Sequence, residues 1–258
     1  SVKGDRQADV DDLVVAGYFV SSHFSGISLV CLTTSKQGKG ENVKLKGVVF
    51  DLDGTLLDTL DDLAESMNRV LSSFDYPTHP VEAYRYFVGE GMRTLAFRVL
   101  PEQSRDEESV KRTVDAMRRD YAMHWADKTR PYYGVPKMLN HLQDKGVHMA
   151  ILSNKPDEFT AEVVEKLLPH WRFKVVRGAR EAVPLKPDPQ SAVALSQEMG
   201  ISPAHLAFVG DTATDMKTAV SAGMYPVGVL WGFREAGELK ENGAKRLIES
   251  PSDLVDLF

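Results

Sequence analysis

Cysteine is almost absent from this sequence, since Cys31 is the only one among 258 residues. A single cysteine excludes an intrachain disulfide, a cysteine zinc site and a CxxC redox motif. Seven histidines are present, but none stands at metal-ligand spacing from another, so the pattern predicts no histidine metal site. We therefore expect a reducing, cytoplasmic setting and a site built from other side chains.

Long basic runs and long apolar runs are also missing. The formal net charge is −6, from 31 Lys and Arg against 37 Asp and Glu, so nucleic acid is a poor candidate partner. The apolar stretch from Leu13 to Leu32 is broken by Ser, His and Gly, and falls short of the ~20 apolar residues of a membrane span. The acidic residues before this stretch do not fit a secretory signal. The composition predicts a globular protein without a membrane partner.

The first 43 residues differ in character from the rest of the chain. Residues 33–42, TTSKQGKGEN, are polar and contain glycine, which is typical of a linker. The chain begins at Ser1 rather than at a methionine, as expected of a fragment or a processed product. Residues 1–43 are interpreted as an N-terminal extension, and the sequence assigns them no role.

From Lys44 onward, short apolar runs alternate with amphipathic stretches. Runs suited to buried strands occupy residues 45–52, 147–153, 173–178, 206–210 and 226–230. Helices are predicted between the later runs, at residues 136–145, 158–168, 189–199 and 212–222. Strands that alternate with helices in this way are typical of βαβ units. The pattern predicts an α/β fold with a doubly wound, Rossmann-like parallel sheet.

One segment departs from this alternation. Residues 59–131 hold no convincing buried strand, only helical patterns around residues 61–74, 92–99 and 107–125. An all-helical cap domain inserted after the first strand is the simplest interpretation. We expect the Rossmann-like core at residues 44–58 and 132–258, and the helical cap at residues 59–131.

Two carboxylates, Asp51 and Asp53, come directly after the first predicted strand. Ligands of open parallel sheets bind beyond the carboxyl ends of the strands, so this is the expected place for a site. Side chains two residues apart in a strand point the same way, and a cation relieves the repulsion between their charges. Mg²⁺ suits such a place because it prefers oxygen ligands. If the pair stood alone, a solvated turn would explain it equally well.

Three further strand ends carry polar side chains in the same position. Ser153 and Asn154 follow the second strand, where a hydroxyl and backbone N–H groups would form a phosphate-binding corner. Lys186 precedes a predicted helix, and Asp211 follows a strand, with Asp215 one helical turn later. Each feature has an ordinary explanation as a turn, a surface lysine or a helix cap. Their coincidence at successive strand ends favours a single site.

The chain resembles phosphatases of the haloacid dehalogenase superfamily over residues 46–258, and most of all the phosphoglycolate phosphatase group. DLDGTLLDT (51–59) matches the first motif of the superfamily, Ser153 the second, Lys186 the third and GDTATD (210–215) the fourth. Further similar stretches are FVGEGM (87–92), SNKP (153–156), KPDP (186–189) and VLWGFREAGEL (229–239). Four motifs in this order, on alternating strands, form a highly specific pattern.

The resemblance implies a Mg²⁺-dependent phosphatase that hydrolyses a small phosphate monoester through an aspartyl-phosphate intermediate. Asp51 would be the nucleophile, and Asp53 the general acid that protonates the leaving alcohol and then activates water. Lys186 would offset the charge that develops during transfer. The implied metal ligands are the Asp51 side chain, the Asp53 backbone carbonyl, Asp211 and, in support, Asp215. The residues implied to bind phosphate are Thr55, Ser153, Asn154 and Lys186.

The cap would select the substrate. Gly89 and Gly91 predict a tight turn at its inner edge, with Arg93 near enough to bind a second anionic group, although a surface arginine after a helix start is the alternative. The expected partner is a small phosphorylated metabolite such as phosphoglycolate, and the expected state is a monomer or homodimer. Two alternatives stay open: a phosphatase of nucleoside monophosphates or pyrophosphate, and a non-catalytic phosphate-binding or regulatory module with the same fold.

Overall fold

The computed structural model describes residues 44–258, and the predicted N-terminal extension at residues 1–43 lies outside the described residues. The strands of this part of the chain are β1 (Gly47–Phe50), β2 (Leu57–Asp58), β3 (Arg130–Pro131), β4 (His148–Pro156), β5 (Phe173–Ala179), β6 (Leu206–Gly210), β7 (Tyr225–Val229) and β8 (Arg246–Ile248). Six of them form a parallel sheet in the order β5-β4-β1-β6-β7-β8. The predicted α/β class with a doubly wound parallel sheet is confirmed.

Helices follow the strands as the amphipathic pattern predicts. They are α1 (Leu60–Ser73), α2 (Tyr84–Phe87), α3 (Met92–Val99), α4 (Glu107–His124), α5 (Val135–Asp144), α6 (Asp157–Leu167), α7 (Gln190–Met199), α8 (Ala213–Ala222) and α9 (Ala236–Glu241). The four predicted helices of the core agree with α5, α6, α7 and α8 to within one residue at each end.

The central strand β1 is buried on both faces. Val48 and Phe50 belong to one hydrophobic cluster and Val49 to another, and all three side chains are fully buried. Successive side chains of a strand point to opposite faces of the sheet, so a strand covered on both sides needs a continuous apolar run. The run GVVF meets this requirement, which explains why β1 occupies the middle of the sheet.

Residues 59–129 contain helices and turns but no strand. β2 and β3 pair in antiparallel fashion, with Leu57 opposite Pro131, so the chain leaves the sheet and returns to it side by side. The Asp62 carboxylate ties the two passages together, because it accepts hydrogen bonds from the backbone N–H and the hydroxyl of Thr129 at 2.8 and 2.7 Å. We call residues 59–131 the helical segment. Its division from the core as a separate cap domain stays a prediction.

The winding of the sheet positions the site. From β1 the chain runs to β4 and β5 on one side, and later to β6, β7 and β8 on the other. Where connections diverge in this way, a crevice opens beyond the carboxyl ends of the strands. The ends of β4, β1 and β6 therefore meet at the sheet edge where the sequence predicts the site.

One strand of the sheet, β8, is missing from the predicted set. It has only three residues, RLI, and lies at the edge of the sheet, so it is too short to produce a recognisable apolar run. Within residues 44–258, no helix has the length and apolar character needed to cross a membrane.

Candidate active site

Three neighbouring strands bring their polar ends together. Asp51 follows β1, Ser153 lies near the end of β4, and Asp211 follows β6. Parallel pairing aligns β4 and β6 on either side of β1, with Phe50 opposite both Ile151 and Val209. The side chains of Asp51, Ser153 and Asp211 are all buried at this edge.

A tight turn after β1 shapes the first wall of the site. Gly54 has a φ of +84°, and a Cβ atom at this position would overlap the carboxylate of Asp211. The Thr55 hydroxyl donates to Asp211 Oδ1 at 3.1 Å, and the Trp231 Nε1–H donates to the Thr55 carbonyl at 2.9 Å. Thr55, which the resemblance implied in phosphate binding, thus has its hydroxyl engaged in holding Asp211.

Asp51, Asp211 and Asp215 form a cluster of buried carboxylates, with one oxygen from each lying within 4.8 Å of the others. Burial raises the pKa of Asp51 to about 7, a rise that Lys186 opposes and Asp215 increases. Burial, together with the charges of Asp215 and Asp51, also raises the pKa of Asp211 well above its usual value. A divalent cation would relieve this crowding, so the cluster is suited to hold a metal ion.

Lys186 joins two members of this cluster. Its Nζ lies 2.8 Å from Asp51 Oδ1 and 2.7 Å from Asp215 Oδ1, and donates to the Leu152 carbonyl at 3.0 Å. Burial alone would lower the pKa of Lys186, but the charges of Asp215 and Asp51 raise it above its usual value. The lysine is therefore a buried cation that fixes the position of both carboxylates.

The start of α8 orients Asp215. Thr212 and Asp215 form a capping box: the Asp215 Oδ2 accepts hydrogen bonds from the backbone N–H and the hydroxyl of Thr212 at 3.0 and 2.6 Å. One oxygen of Asp215 is thereby committed to the helix start, and the other faces Lys186. The acid that the sequence places one turn into a helix is thus a buried part of the site rather than a surface residue.

A second ion pair joins the half-buried Asp53 to the buried Lys155, which the sequence did not predict as a site residue. Lys155 Nζ lies 3.0 and 3.2 Å from the two carboxylate oxygens of Asp53, and donates to the Tyr121 hydroxyl of α4 at 2.8 Å. Burial would lower the pKa of Lys155, but Asp53 and Tyr121 raise it above its usual value. The signals for Lys155 in the sequence are its place two residues after Ser153 and its inclusion in the stretch SNKP (153–156).

Ser153 and Asn154 play different parts. Ser153 Oγ accepts a hydrogen bond from the backbone N–H of Lys155 at 3.2 Å, which leaves its own proton available for a ligand. The Asn154 side chain accepts from the Lys186 N–H at 2.9 Å, and donates to the carbonyls of Lys186 and Gly89 at 3.0 and 3.1 Å. Asn154, implied to bind phosphate, therefore holds the Lys186 loop and the turn of the helical segment in place.

Two arginines also hold the helical segment to the core beside the site. Arg85 of α2 donates to the carbonyls of residues 232 and 233 in the loop after β7. Arg234 of that same loop donates to the Val88 carbonyl at 3.2 Å. One arginine comes from the helical segment and one from the core. Together they hold the predicted turn at residues 88–91 against the loop after β7.

A cavity of about 60 Å³ lies between these groups. Its lining residues are Asp51, Asp53, Leu63, Val88, Gly89, Gly91, Met92, Leu95, Tyr121, Ser153, Asn154, Lys155, Pro156 and Phe233. Arg93 is not one of them. Its side chain is exposed and pairs with Glu107 on the surface of the helical segment, with Nη1 at 2.8 Å from Oε1. The structure does not bring Arg93 to the site, because α3 turns it toward solvent.

The chain is similar in sequence to known hydrolases. Residues 48–229 match the model of the haloacid dehalogenase-like hydrolase family. A phosphoglycolate phosphatase of Pseudomonas putida KT2440 is 31% identical over 212 residues, which cover 81% of this chain and 75% of that protein. A phosphoglycolate phosphatase of Mannheimia succiniciproducens is 30% identical over 222 residues, which cover 84% of this chain and 99% of that protein.

A solved structure agrees with the same grouping. The crystal structure of a predicted phosphoglycolate phosphatase from Haemophilus somnus 129pt superposes with a TM-score of 0.77 at 25% identity. The superposition covers 83% of this chain and 98% of that one. The similarity therefore extends over both the sheet and the helical segment.

Proposed function

Because the chain belongs to the haloacid dehalogenase-like hydrolase family and is a phosphoric monoester hydrolase, we propose that it is a Mg²⁺-dependent phosphatase of a small phosphorylated acid. The observation that carries the proposal is the buried cluster of Asp51, Asp211 and Asp215 around Lys186, beside the separate carboxylate of Asp53. A nucleophile, a proton donor and a set of oxygen ligands then stand together, as phosphoryl transfer requires.

Asp51 is the proposed nucleophile. Its carboxylate oxygen forms a bond to phosphorus while the bond from phosphorus to the leaving oxygen breaks, which gives an aspartyl phosphate. The contact between Lys186 and Asp51 Oδ1 fixes the orientation of the carboxylate for this attack. Attack requires the ionised form, and a nearby cation favours that form against the burial that raises its pKa.

Asp53 is the proposed general acid and base. It protonates the leaving oxygen, then takes a proton from the water that hydrolyses the aspartyl phosphate, so that inorganic phosphate is released and Asp51 is restored. Its carboxylate lines the cavity and is more exposed than that of Asp51. The Ser153 hydroxyl is placed to donate to a phosphoryl oxygen, and Lys186 offsets the negative charge of the transfer.

The residues present fit a Mg²⁺ ion. Three buried carboxylates supply oxygen ligands within a short distance of one another, and Asp211 is held from both sides by the Thr55 hydroxyl and the Phe233 N–H. The side chains of Asp51 and Asp211 and the Asp53 carbonyl would hold the ion, with Asp215 in support. When bound, the ion neutralises negative charge on the carboxylates and the phosphoryl group.

Phosphoglycolate is the leading substrate, on the strength of the names of the relatives. The test is release of inorganic phosphate from phosphoglycolate, ethyl phosphate, nucleoside monophosphates and pyrophosphate, in Mg²⁺ or in EDTA. We expect release from phosphoglycolate in Mg²⁺, none in EDTA and none from Asp51→Asn. Asp144→Asn, at an exposed carboxylate of α5, is the matched control and should keep full activity. Release from nucleotides or pyrophosphate alone would reassign the substrate, and no release from any ester would favour the non-catalytic module.

A further inference from the structure

Lys155 is a buried cation in the wall of the cavity, and the mechanism above gives it no chemical role. Its side chain is 3% exposed, whereas that of its partner Asp53 is 18% exposed. The Lys155 backbone is fixed as well, since its carbonyl accepts a hydrogen bond from the Thr160 hydroxyl at 3.1 Å. The ammonium is therefore held at a defined point of the cavity rather than at the end of a mobile side chain.

Among the cavity-lining residues of the described chain, Lys155 is the one cation. The other positive groups nearby lie outside the lining, although the buried Nη1 of Arg234 has no hydrogen-bond partner among the described residues. Lys186 contacts Asp51 and does not line this cavity, while Arg85 and Arg234 donate to backbone carbonyls beside it. Apart from the carboxylates and the amide and hydroxyl groups, the wall is aliphatic or aromatic. A ligand with a second negative charge would find its counter-charge at Lys155.

Structural stability is a weak reason to keep this ion pair. A buried pair loses much of its Coulomb energy to desolvation, and apolar residues of similar volume often stabilise a core as well or better. An ammonium group has three donors. Its acceptors are the two Asp53 oxygens, at 3.0 and 3.2 Å, and the Tyr121 hydroxyl, at 2.8 Å, so a ligand carboxylate would take the place of one Asp53 oxygen.

The position of Lys155 matches one part of the substrate. Asp53 acts on the leaving oxygen, and Lys155 Nζ lies 3.0 Å from the Asp53 carboxylate. In phosphoglycolate, a single CH₂ group separates the leaving oxygen from the carboxylate. A carboxylate so close to the leaving oxygen comes within reach of the ammonium, while Tyr121 holds that ammonium from the side of the helical segment.

We propose that Lys155 is a specificity-determining residue that binds the carboxylate next to the leaving oxygen, so that the enzyme prefers phosphorylated acids to esters of neutral alcohols. The proposal rests on the proposed phosphatase function. It places recognition of the leaving group in the core strand β4 rather than at Arg93. Since Tyr121 comes from α4, recognition requires the helical segment and the core to be in contact.

The test uses the full chain and compares kcat/KM for phosphoglycolate with that for ethyl phosphate, which lacks the carboxylate. In Lys155→Met the ratio of the two values should fall at least about tenfold, because a hydrogen bond to a charged group is lost for one substrate only. Lys155→Arg keeps the charge and should retain part of the preference. Lys137→Met, at an exposed lysine of α5, is the matched control and should leave the ratio unchanged.

A binding measurement covers the case in which turnover is too slow to compare. In Asp51→Asn protein, calorimetry should show phosphoglycolate binding more tightly than ethyl phosphate, and the added Lys155→Met change should remove the difference. An unchanged substrate ratio or binding difference in the folded Lys155→Met protein overturns the assignment and leaves Lys155 as a positioning residue of Asp53. Wild-type protein that releases phosphate from neither ester overturns the phosphatase proposal instead.

Discussion

Replacing Asp51 by asparagine is expected to stabilise the cation-free protein at pH 8 while it abolishes phosphate release. The side chain belongs to a buried cluster of three carboxylates, and burial with the charge of Asp215 makes its ionised form unfavourable. Lys186 offsets only part of this effect. The nucleophile would thus be kept for chemistry at a cost to folding, as is common at functional sites.

The size of the effect follows from the pKa of Asp51, which rises from 3.8 to about 7 on folding. At about 1.4 kcal/mol per pH unit, the ionised group costs about 4 kcal/mol. Asp51 ionises near pH 3.8 in the unfolded chain and near pH 7 in the folded chain. The wild type therefore bears no such cost below pH 3.8, and its free energy of unfolding falls as the pH rises from 3.8 to about 7. The pKa of about 7 already contains the attraction of Asp51 to Lys186, and asparagine is neutral like the protonated acid, so the expected net gain at pH 8 is about 4 kcal/mol.

Urea unfolding followed by circular dichroism measures this gain. In EDTA at pH 8, Asp51→Asn should have the higher free energy of unfolding, and the difference should shrink toward pH 4. Added Mg²⁺ should stabilise the wild type more than the variant, because the ion binds the folded cluster. A lower free energy of unfolding for Asp51→Asn at pH 8 in EDTA would refute the reasoning, since the ion pair with Lys186 would then outweigh burial and repulsion.

Three further substitutions test the supports of the site. Lys186→Met leaves Asp215 without its buried cation, so it should lower the free energy of unfolding, measured in urea, by about 3–5 kcal/mol. It should also lower kcat at least about 100-fold. A variant as stable as the wild type would contradict the role of this ion pair. Thr55→Val removes the hydrogen bond to Asp211 and should weaken Mg²⁺ binding about 10–100-fold by calorimetry, whereas Thr55→Ser should retain it; equal affinities would exclude this role. Thr212→Ala breaks the capping box and should lower the free energy of unfolding by about 1 kcal/mol, and no change would show that the cap adds nothing to stability.

Sequence patterns alone determined the sheet and the acidic part of the site. The apolar runs had to be strands buried on both faces, as GVVF of β1 shows, and the intervening helices followed from their amphipathic period. Since parallel strands share one carboxyl edge, Asp51, Asp211 and Lys186 could be assigned to one place before any side chain was positioned. The three-residue strand β8 was not predicted because it is shorter than the run of about four residues by which a strand is recognised.

Only the tertiary structure decided the other half of the cavity. Lys155 contacts Asp53, which is 102 residues away in the sequence, and Tyr121, which is 34 residues away. Arg93 pairs with Glu107 on the surface. The period of a helix shows which of its residues share a face, but the direction in which that face points depends on how the helix packs against the sheet. The helical segment contacts the core through Arg85 and other long-range hydrogen bonds. The residues proposed to recognise the leaving group are therefore brought together by the packing of two distant parts of the chain.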